Sequence, residues 1–425
     1  MHPMHDETIR LRQPDAESLR AWSRPAAAAF GEDFGEAEFE HDRLLLELDR
    51  LIGAVDGDAW VGTGGAYSLG LTVPGGAEVG AAGITFIGVS PSHRRRGILR
   101  QMMRWLLDQA RERGEPVAIL WASESAIYQR FGYGIGTLQG GFDIERTRVR
   151  FAQPAEPLGR MRLVDGDEAM RLIPPVYDAV RPRMPGSVAR RDVKWRHELL
   201  FDAEWMRHGN GPKYMAVLEV EGEVRGYAIY RVKNDWDERG PNNTVTTMEV
   251  VGVDAAAERA VWEWVFGIDL VGHVKGTRVP VPHPLMLQLT EPRRLGMIVR
   301  EGLFLRILDV AAALEARTYR GSGSLTFDLA DEFCPWNAGR WRLEVASSAS
   351  AGSASVARGV ASVTPFKGDP DLTLDTSDFA AVYLGAFTFS DLARAGRVGE
   401  CRPGAVADAD ALFATAVAPW CATQF

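Results

Sequence analysis

Apolar and polar positions follow two different periods along this chain, and one stretch shows both in succession. Residues 86–89 form an apolar, strand-like run, and Ser90-Pro91-Ser92 interrupts it. From residue 98 onward, apolar side chains recur at helical spacing, at Ile98, Leu99, Met102, Met103 and Leu106. The pattern predicts a strand that leads into a helix through a basic turn.

Other runs predict strands on both sides of this unit. Residues 60–65, 66–73 and 83–89 suit an antiparallel meander punctuated by Pro74-Gly75-Gly76. Val117–Trp121 is continuously apolar, which is typical of a buried strand. Ser125 is then predicted to cap a short helix that carries Tyr128 and ends at Gly132.

The basic turn has residues that suit an anion. A helix N-terminus presents free backbone N–H groups and the positive end of the helix dipole, and Gly97 allows a close approach of the backbone. Arg94, Arg95 and Arg96 add charge that suits a pyrophosphate. The alternative is a solvated basic turn at the mouth of an ordinary strand–helix unit.

Composition narrows the class of protein. A chain of 425 residues predicts two or three domains. Its net charge of −9 argues against nucleic-acid binding and suits a cationic substrate with an anionic cofactor. The three cysteines have spacings that match no zinc or redox motif, so no metal site is predicted. Without an apolar leader or spanning segment, we expect a cytoplasmic protein and no membrane span.

The middle of the chain repeats the order of the first part. Residues 161–253 again predict a strand, a helix and a meander, but no basic glycine turn follows. Asp254-Ala255-Ala256-Ala257-Glu258-Arg259 stands there instead, and acids at the position of a pyrophosphate argue that this half binds no coenzyme. Residues 347–355 predict a polar hairpin or flexible loop.

Arg94-x-x-Gly97-x-Leu99 resembles the acetyl-coenzyme A (acetyl-CoA) loop of the GNAT N-acetyltransferases, although Leu99 replaces the small residue expected last. With Ile127-Tyr128-Gln129-Arg130-Phe131-Gly132-Tyr133-Gly134 and a terminal Phe425, the chain resembles their Eis (enhanced intracellular survival) branch. Residues 371–385 resemble a sterol-carrier-like domain. The resemblance implies an α+β fold of tandem GNAT-like domains followed by that third domain.

The resemblance also implies a role for each of the three domains. Residues 1–148 would bind acetyl-CoA, residues 149–303 would be a degenerate GNAT-like domain lining the acceptor pocket, and residues 304–425 would deliver the C-terminal carboxylate. Its implied cofactor-binding residues are Ile87, Val89, Arg94, Arg95, Arg96, Gly97, Ile98, Leu99 and Ser123.

Two catalytic residues follow from the same resemblance. Taken alone, a tyrosine on a short amphipathic helix is more often a core residue with a hydrogen-bonded hydroxyl. The family instead implies that Tyr128 protonates the coenzyme sulfur and that the α-carboxylate of Phe425 is the general base. A backbone N–H near Val89 would hold the developing oxyanion.

The implied acceptor-binding residues are Asp33, Phe39, Phe86, Trp121 and Glu301. Residues 22–40 are acidic and aromatic, so they suit one wall of a cleft for a cation, or else a solvated helix face. Glu301 precedes a glycine, so it is either a contact for a cation or an acid that is simply solvated. Trp121 and Gln424 depart from the family pattern, which changes the expected shape and charge of the pocket.

The expected activity is acetyl transfer from acetyl-CoA to primary amines of cationic small molecules. The resemblance implies aminoglycoside-like polyamines, antibiotic resistance and a homo-hexamer. Two alternatives stay open: acetylation of protein lysine or of a metabolite amine, and a non-catalytic carrier that uses the third domain for an apolar ligand.

Overall fold

The computed structural model describes residues 9–32, 35–238, 240–346 and 360–425. These residues form strands β1 to β21, at Ile9–Arg12, Leu51–Asp56, Ala59–Thr72, Glu78–Val89, Val117–Trp121, Gly134–Ile135, Leu138–Glu145, Arg160–Val164, Lys213–Val220, Glu223–Lys233, Trp236–Asp237, Gly240–Pro241, Asn243–Gly252, Val271–Val279, Ile298–Glu301, Leu303–Ile307, Gly323–Ala330, Gly339–Ala346, Val360–Pro365, Leu372–Asp375 and Val398–Glu400.

Helices α1 to α12 lie at Leu19–Phe30, Glu36–Asp42, Ile98–Glu112, Ser125–Tyr128, Gly166–Val180, Asp192–Lys194, Ala255–Gly267, Leu285–Gln288, Val310–Ala316, Thr376–Tyr383, Phe389–Arg394 and Ala405–Phe413. Within the ranges just given for the structure, no helix combines the length and apolar character needed to cross a membrane. The predicted mixture of helices and sheets is confirmed. The predicted loop at 347–355 lies outside the described residues.

The described residues divide into two compact units. The first takes them from Met1–Gly136, Leu303–Thr415 and Gln424–Phe425, and the second from Thr137–Gly302 and Ala416–Thr423. Neither unit is continuous in sequence. The predicted domain boundaries after residues 148 and 303 stay a prediction.

Each unit contains a sheet of seven strands, and both sheets follow one plan. The first has the order β1-β2-β3-β4-β5-β16-β6, and the second has β15-β7-β14-β13-β10-β9-β8. In the first sheet β16 pairs with β5, although the segment that forms the second unit separates them in sequence. In the second sheet β7 pairs with β14, although residues 146–270 separate the two strands in sequence. Each sheet is therefore completed by a strand distant in sequence.

A third sheet, β19-β18-β17-β20-β21, belongs to the first unit. Helices α10, α11 and α12 pack with it, and their aromatic side chains fill its core. The rings of Phe327 and Phe379 are 4.8 Å apart, and those of Phe389 and Phe413 are 5.1 Å apart. This region contains the predicted sterol-carrier-like motif.

The prediction of two strands at 60–65 and 66–73 is wrong, because β3 runs unbroken from Ala59 to Thr72. Glycines within this strand allow close packing. A Cβ at Gly62 would lie 2.9 Å from Cγ2 of Ile98 on α3. A Cβ at Gly64 would lie 3.1 Å from Cδ1 of Ile87 on β4. These glycines bring β3 close to the helix and strand that line the cleft described below.

Residues 331–337, in the connection between β17 and β18, are held against the first sheet and α3. Arg104 on α3 donates to the carbonyl oxygen of Phe333 and lies 4.1 Å from the centre of its ring. The Phe333 ring also contacts Phe131, with 4.9 Å between ring centres. This loop therefore contacts both α3 and the short helical segment that follows Tyr128.

A buried ion pair anchors the same loop. Arg306 on β16 is fully buried and donates to both carboxylate oxygens of Asp331, at 2.7 and 2.6 Å. Removing one partner of a buried pair leaves an uncompensated charge, which typically costs about 3–5 kcal/mol. We expect Asp331→Ala to lower the free energy of unfolding by about this amount, measured by urea denaturation.

Asp328→Ala is the matched control for that prediction. Asp328 pairs with Arg340 at 3.1 Å on the surface, where such pairs contribute about 0–1 kcal/mol. If both substitutions lowered the free energy of unfolding by the same small amount, the Arg306–Asp331 pair would not anchor the loop.

Candidate active site

A cleft of about 920 Å³ opens in the first unit. Among the residues that line it are most of the predicted cofactor residues and one predicted catalytic residue: Ile87, Val89, Arg94, Arg95, Gly97, Ile98, Leu99, Ser123 and Tyr128. The structure thus brings together residues from β4, the basic turn, α3 and the end of β5. Whether they bind a coenzyme stays a prediction at this point.

The cleft forms because two parallel strands separate. β4 pairs with β5 only from Ala81 to Gly83, although β4 continues to Val89. On its other side, β4 shifts register against β3, and Phe86 has a φ of 53°. An extra residue in one strand bends it and increases its twist. This β-bulge leaves backbone groups of β4 available to a linear amide ligand.

The basic turn leads into the N-terminus of α3 at one end of the cleft. Gly97 is the N-cap of α3 and has a φ of 81°, which favours glycine. Backbone N–H groups at such a terminus lack intrahelical partners and attract anions. Arg94 and Arg95 line the cleft, whereas Arg96 pairs with Asp56 at 3.7 Å. The turn therefore presents both charge and N–H donors to the cleft.

Tyr128 lies at the end of α4 and is 5% exposed. Burial raises the pKa of its hydroxyl above the usual value, although a hydrogen bond with Ser123 opposes the shift. The hydroxyl therefore stays protonated at neutral pH and can donate a proton. The helix begins at Ser125, so the prediction that Ser125 caps it is wrong: Glu124 is at the N-cap.

The C-terminus of the chain reaches the place where β4 and β5 separate. A Cβ at Gly83 would lie 3.1 Å from Cε2 of Phe425, so the terminal ring lies against the backbone of β4. Gly83 is the last residue of β4 that pairs with β5. The half-buried ring of Phe425 thus occupies the position at which the cleft opens.

The predicted acceptor residues have different environments. Asp33 lies outside the described residues. Phe39 and Phe86 belong to one apolar cluster, and Phe39 is 8% exposed. Trp121 ends β5 and pairs with Leu303. Glu301 lies on β15 in the second unit, where its carbonyl oxygen accepts from Gln139 at 2.9 Å.

Sequence reasoning missed several residues that line the cleft: Ala29, Phe30, Gly88, His93, Arg100, Glu124, Ile127, Arg130 and Phe131. Phe30 is 52% exposed at the end of α1, which is unusual for a large aromatic side chain. A Cβ at Gly88 would lie 2.7 Å from Cα of Ala26, so only glycine lets α1 approach β4. No local pattern in the sequence indicates that long-range packing.

The separated strands, the bulge and the helix N-terminus define the class of the protein. A family model for an acetyltransferase (GNAT) domain matches residues 10–136, and another with the same description matches residues 186–307. A sterol carrier protein domain matches residues 310–422. The chain is therefore an N-acetyltransferase with two GNAT domains and a sterol-carrier-type domain.

Full-length relatives identify the family. The chain is 42% identical to an uncharacterised N-acetyltransferase of Streptomyces avermitilis, covering 96% of this chain and 97% of that protein. It is 32% identical to the N-acetyltransferase Eis of Mycobacterium tuberculosis, covering 98% and 100%. The crystal structure of Eis1 from Mycobacterium abscessus superposes with a TM-score of 0.81 at 33% identity, over 98% and 100% of the two chains. This chain belongs to the Eis family of GNAT N-acetyltransferases.

Proposed function

We propose that this enzyme transfers an acetyl group directly from acetyl-CoA to a primary amine of a cationic small molecule. The observation that carries the proposal is a cleft lined by two of the required features, with the third where its two strands separate. A basic helix N-terminus lies at one end, the Tyr128 hydroxyl lies on the wall, and the terminal Phe425 lies where the strands separate.

The chemistry requires a base and an acid. An amine with a pKa near 10 is almost wholly protonated at neutral pH, so the Phe425 α-carboxylate would remove its proton. The amine nitrogen then bonds to the acetyl carbon as the carbon–sulfur bond breaks. A backbone N–H of β4 near Val89 would stabilise the oxyanion, and Tyr128 would protonate the departing thiolate.

Charge supports a cationic acceptor. The net charge is −9, and α2 in the first unit carries Glu36, Glu38 and Glu40, of which Glu36 and Glu40 are exposed. Aminoglycoside-like polyamines have the required charge and several primary amines, and their acetylation would confer resistance to such antibiotics. A hexameric assembly remains a prediction of the family resemblance, and a cytoplasmic location remains a prediction from the sequence.

One part of the third domain's interior is a packed core that does not favour the carrier alternative, whereas a cavity of about 500 Å³ elsewhere is lined in part by α10 and α11. In the packed core, Arg317 is 2% exposed and donates to the carbonyl oxygens of Tyr383 and Phe413, at 2.6 and 2.9 Å. Its guanidinium lies 4.4 Å from the centre of the Phe413 ring. A buried arginine amid packed aromatic rings suits a structural core better than a cavity for an apolar ligand.

Turnover with a panel of amines tests the function. We expect acetyl-CoA-dependent release of free thiol with polycationic amines, and a much lower kcat/KM with singly charged amines and with lysine peptides. A preference for lysine peptides would favour the protein-lysine alternative.

Tyr128→Phe keeps the ring and removes the proton donor, so its kcat should fall by about 10²- to 10⁴-fold. Wild-type turnover in this variant would show that Tyr128 has only a packing role.

A further inference from the structure

We propose that the second GNAT domain is a receptor for the C-terminal tail of its own chain, defined here as residues 420–423. The tail would occupy the strand cleft that corresponds to the coenzyme cleft of the first domain. The catalytic consequence rests on the proposed role of Phe425, but the docking itself can be tested separately.

The second sheet repeats the strand separation seen in the first. β13 and β14 are parallel and pair from Asn243 to Thr247, although β13 continues to Gly252. Helix α7 follows β13 as α3 follows β4. By this correspondence, the cleft beyond Thr247 is the second domain's equivalent of the cofactor cleft.

A pyrophosphate has no place at the start of α7. Asp254 caps this helix and accepts a hydrogen bond from the backbone N–H of Ala257 at 2.8 Å. The same carboxylate is paired with Arg225. An acid therefore already occupies N–H donors that an anion would need.

The tail contacts β14 and the segment that contains Pro185. The indole N–H of Trp420 donates to the carbonyl oxygen of Arg278 on β14, at 2.7 Å. Its backbone N–H donates to the carbonyl oxygen of Pro185, at 2.8 Å. Trp420 is 6% exposed and lines a small cavity together with Glu249 of β13 and Trp262 of α7. The side chain thus fills space between the separated strands.

A buried polar cluster holds the other end of the tail. Nε of Arg190 donates to Oγ1 of Thr423 at 2.9 Å, and Thr423 is fully buried. The two terminal nitrogens of Arg190 bind both oxygens of Glu249, at 2.9 and 2.6 Å. The Tyr227 hydroxyl donates to the same carboxylate at 2.8 Å. The arginine therefore has a fixed geometry and directs one further donor at the tail hydroxyl.

This anchoring limits the position of the terminal carboxylate. Two residues of extended chain span at most about 7 Å, so Phe425 cannot move far while Thr423 is held. Arg190 is accordingly a positioning residue, since it acts on the reaction through Thr423. The proposal gives the coenzyme-free domain a specific task, which is to hold the segment that carries the base.

Thr423→Val tests the docking in the full-length protein, with Thr423→Ser as the matched control. Valine keeps the shape and removes the acceptor for the Arg190 donor, whereas serine retains it. Trp420→Phe is a second variant that removes the indole donor together with part of the buried ring. Each protein is treated with carboxypeptidase under native conditions, and release of Phe425 and Gln424 is followed by mass spectrometry.

We expect release about tenfold faster from Thr423→Val and Trp420→Phe than from the wild type, because each loses a buried hydrogen bond. Thr423→Ser should resemble the wild type. We also expect a lower kcat in the two faster variants with an unchanged dissociation constant for acetyl-CoA. Wild-type release rates in both variants would contradict the proposal that the second GNAT domain holds the tail. Faster release with unchanged kcat would support the docking of the tail but would show that the Phe425 carboxylate is not the general base.

Discussion

Extension of the chain by a few residues beyond Phe425 is expected to abolish most turnover while acetyl-CoA binds with unchanged affinity. Extension replaces the terminal carboxylate with a neutral amide and adds polar atoms where the Phe425 ring lies against Gly83. The basic turn at Gly97 is not altered. A carboxyl terminus has a reference pKa of about 3.3–3.7, so it is a weak base unless it is desolvated beside the amine.

The loss of a general base typically lowers the rate by about 10²- to 10⁴-fold, and we expect kcat to fall within or beyond this range. The same residues added before Met1 provide the control and should leave kcat unchanged. Calorimetry with acetyl-CoA shows whether the cofactor cleft remains intact. If an extended protein kept full kcat/KM, the base would be a side chain or an ordered water, and Asp33 would be the first side chain to test.

Gly97→Asp is expected to weaken acetyl-CoA binding by about 100-fold or more, because a single charge-assisted phosphate contact already contributes on the order of tenfold. Gly97 has a φ of 81° and is the N-cap of α3. An aspartate there is strained, and its carboxylate repels a pyrophosphate at the helix N-terminus.

Gly114→Asp is the matched control for this change. Gly114 follows the C-terminus of the same helix with a φ of 73°, and nothing lies within 4 Å of a Cβ at either glycine. The two substitutions therefore impose similar backbone strain and the same charge at opposite ends of α3. Equal dissociation constants for acetyl-CoA in the two folded variants would show that the pyrophosphate does not bind at Gly97.

Local sequence predicted much of the cofactor cleft. The apolar run before Ser90, the turn at Gly97 and the apolar period from Ile98 specify a strand, a basic turn and a helix, and β4 and α3 confirm them. These features depend on side-chain period and on glycine, which act within a few residues. The position of Phe425 was expected only from family resemblance, because no local pattern directs a chain end to a strand 342 residues earlier.

Two close approaches in the cleft depend on neighbours that are distant in sequence. Gly62 and Gly64 allow β3 to pass close to α3 and β4. Phe30, at the end of α1, lines the cleft. Residue patterns alone could not specify these neighbours.

By itself, the sequence determined the repeated strand, helix and meander order, the basic turn in the first half and the acids that replace it in the second. Only the tertiary structure decided that β16 completes the first sheet and β7 the second. It also decided that residues 331–337 contact α3 and that Arg190 holds Thr423. The physical reason is that strand pairing and buried ion pairs depend on complementary surfaces brought together by folding, whereas helices, turns and caps depend on neighbouring residues.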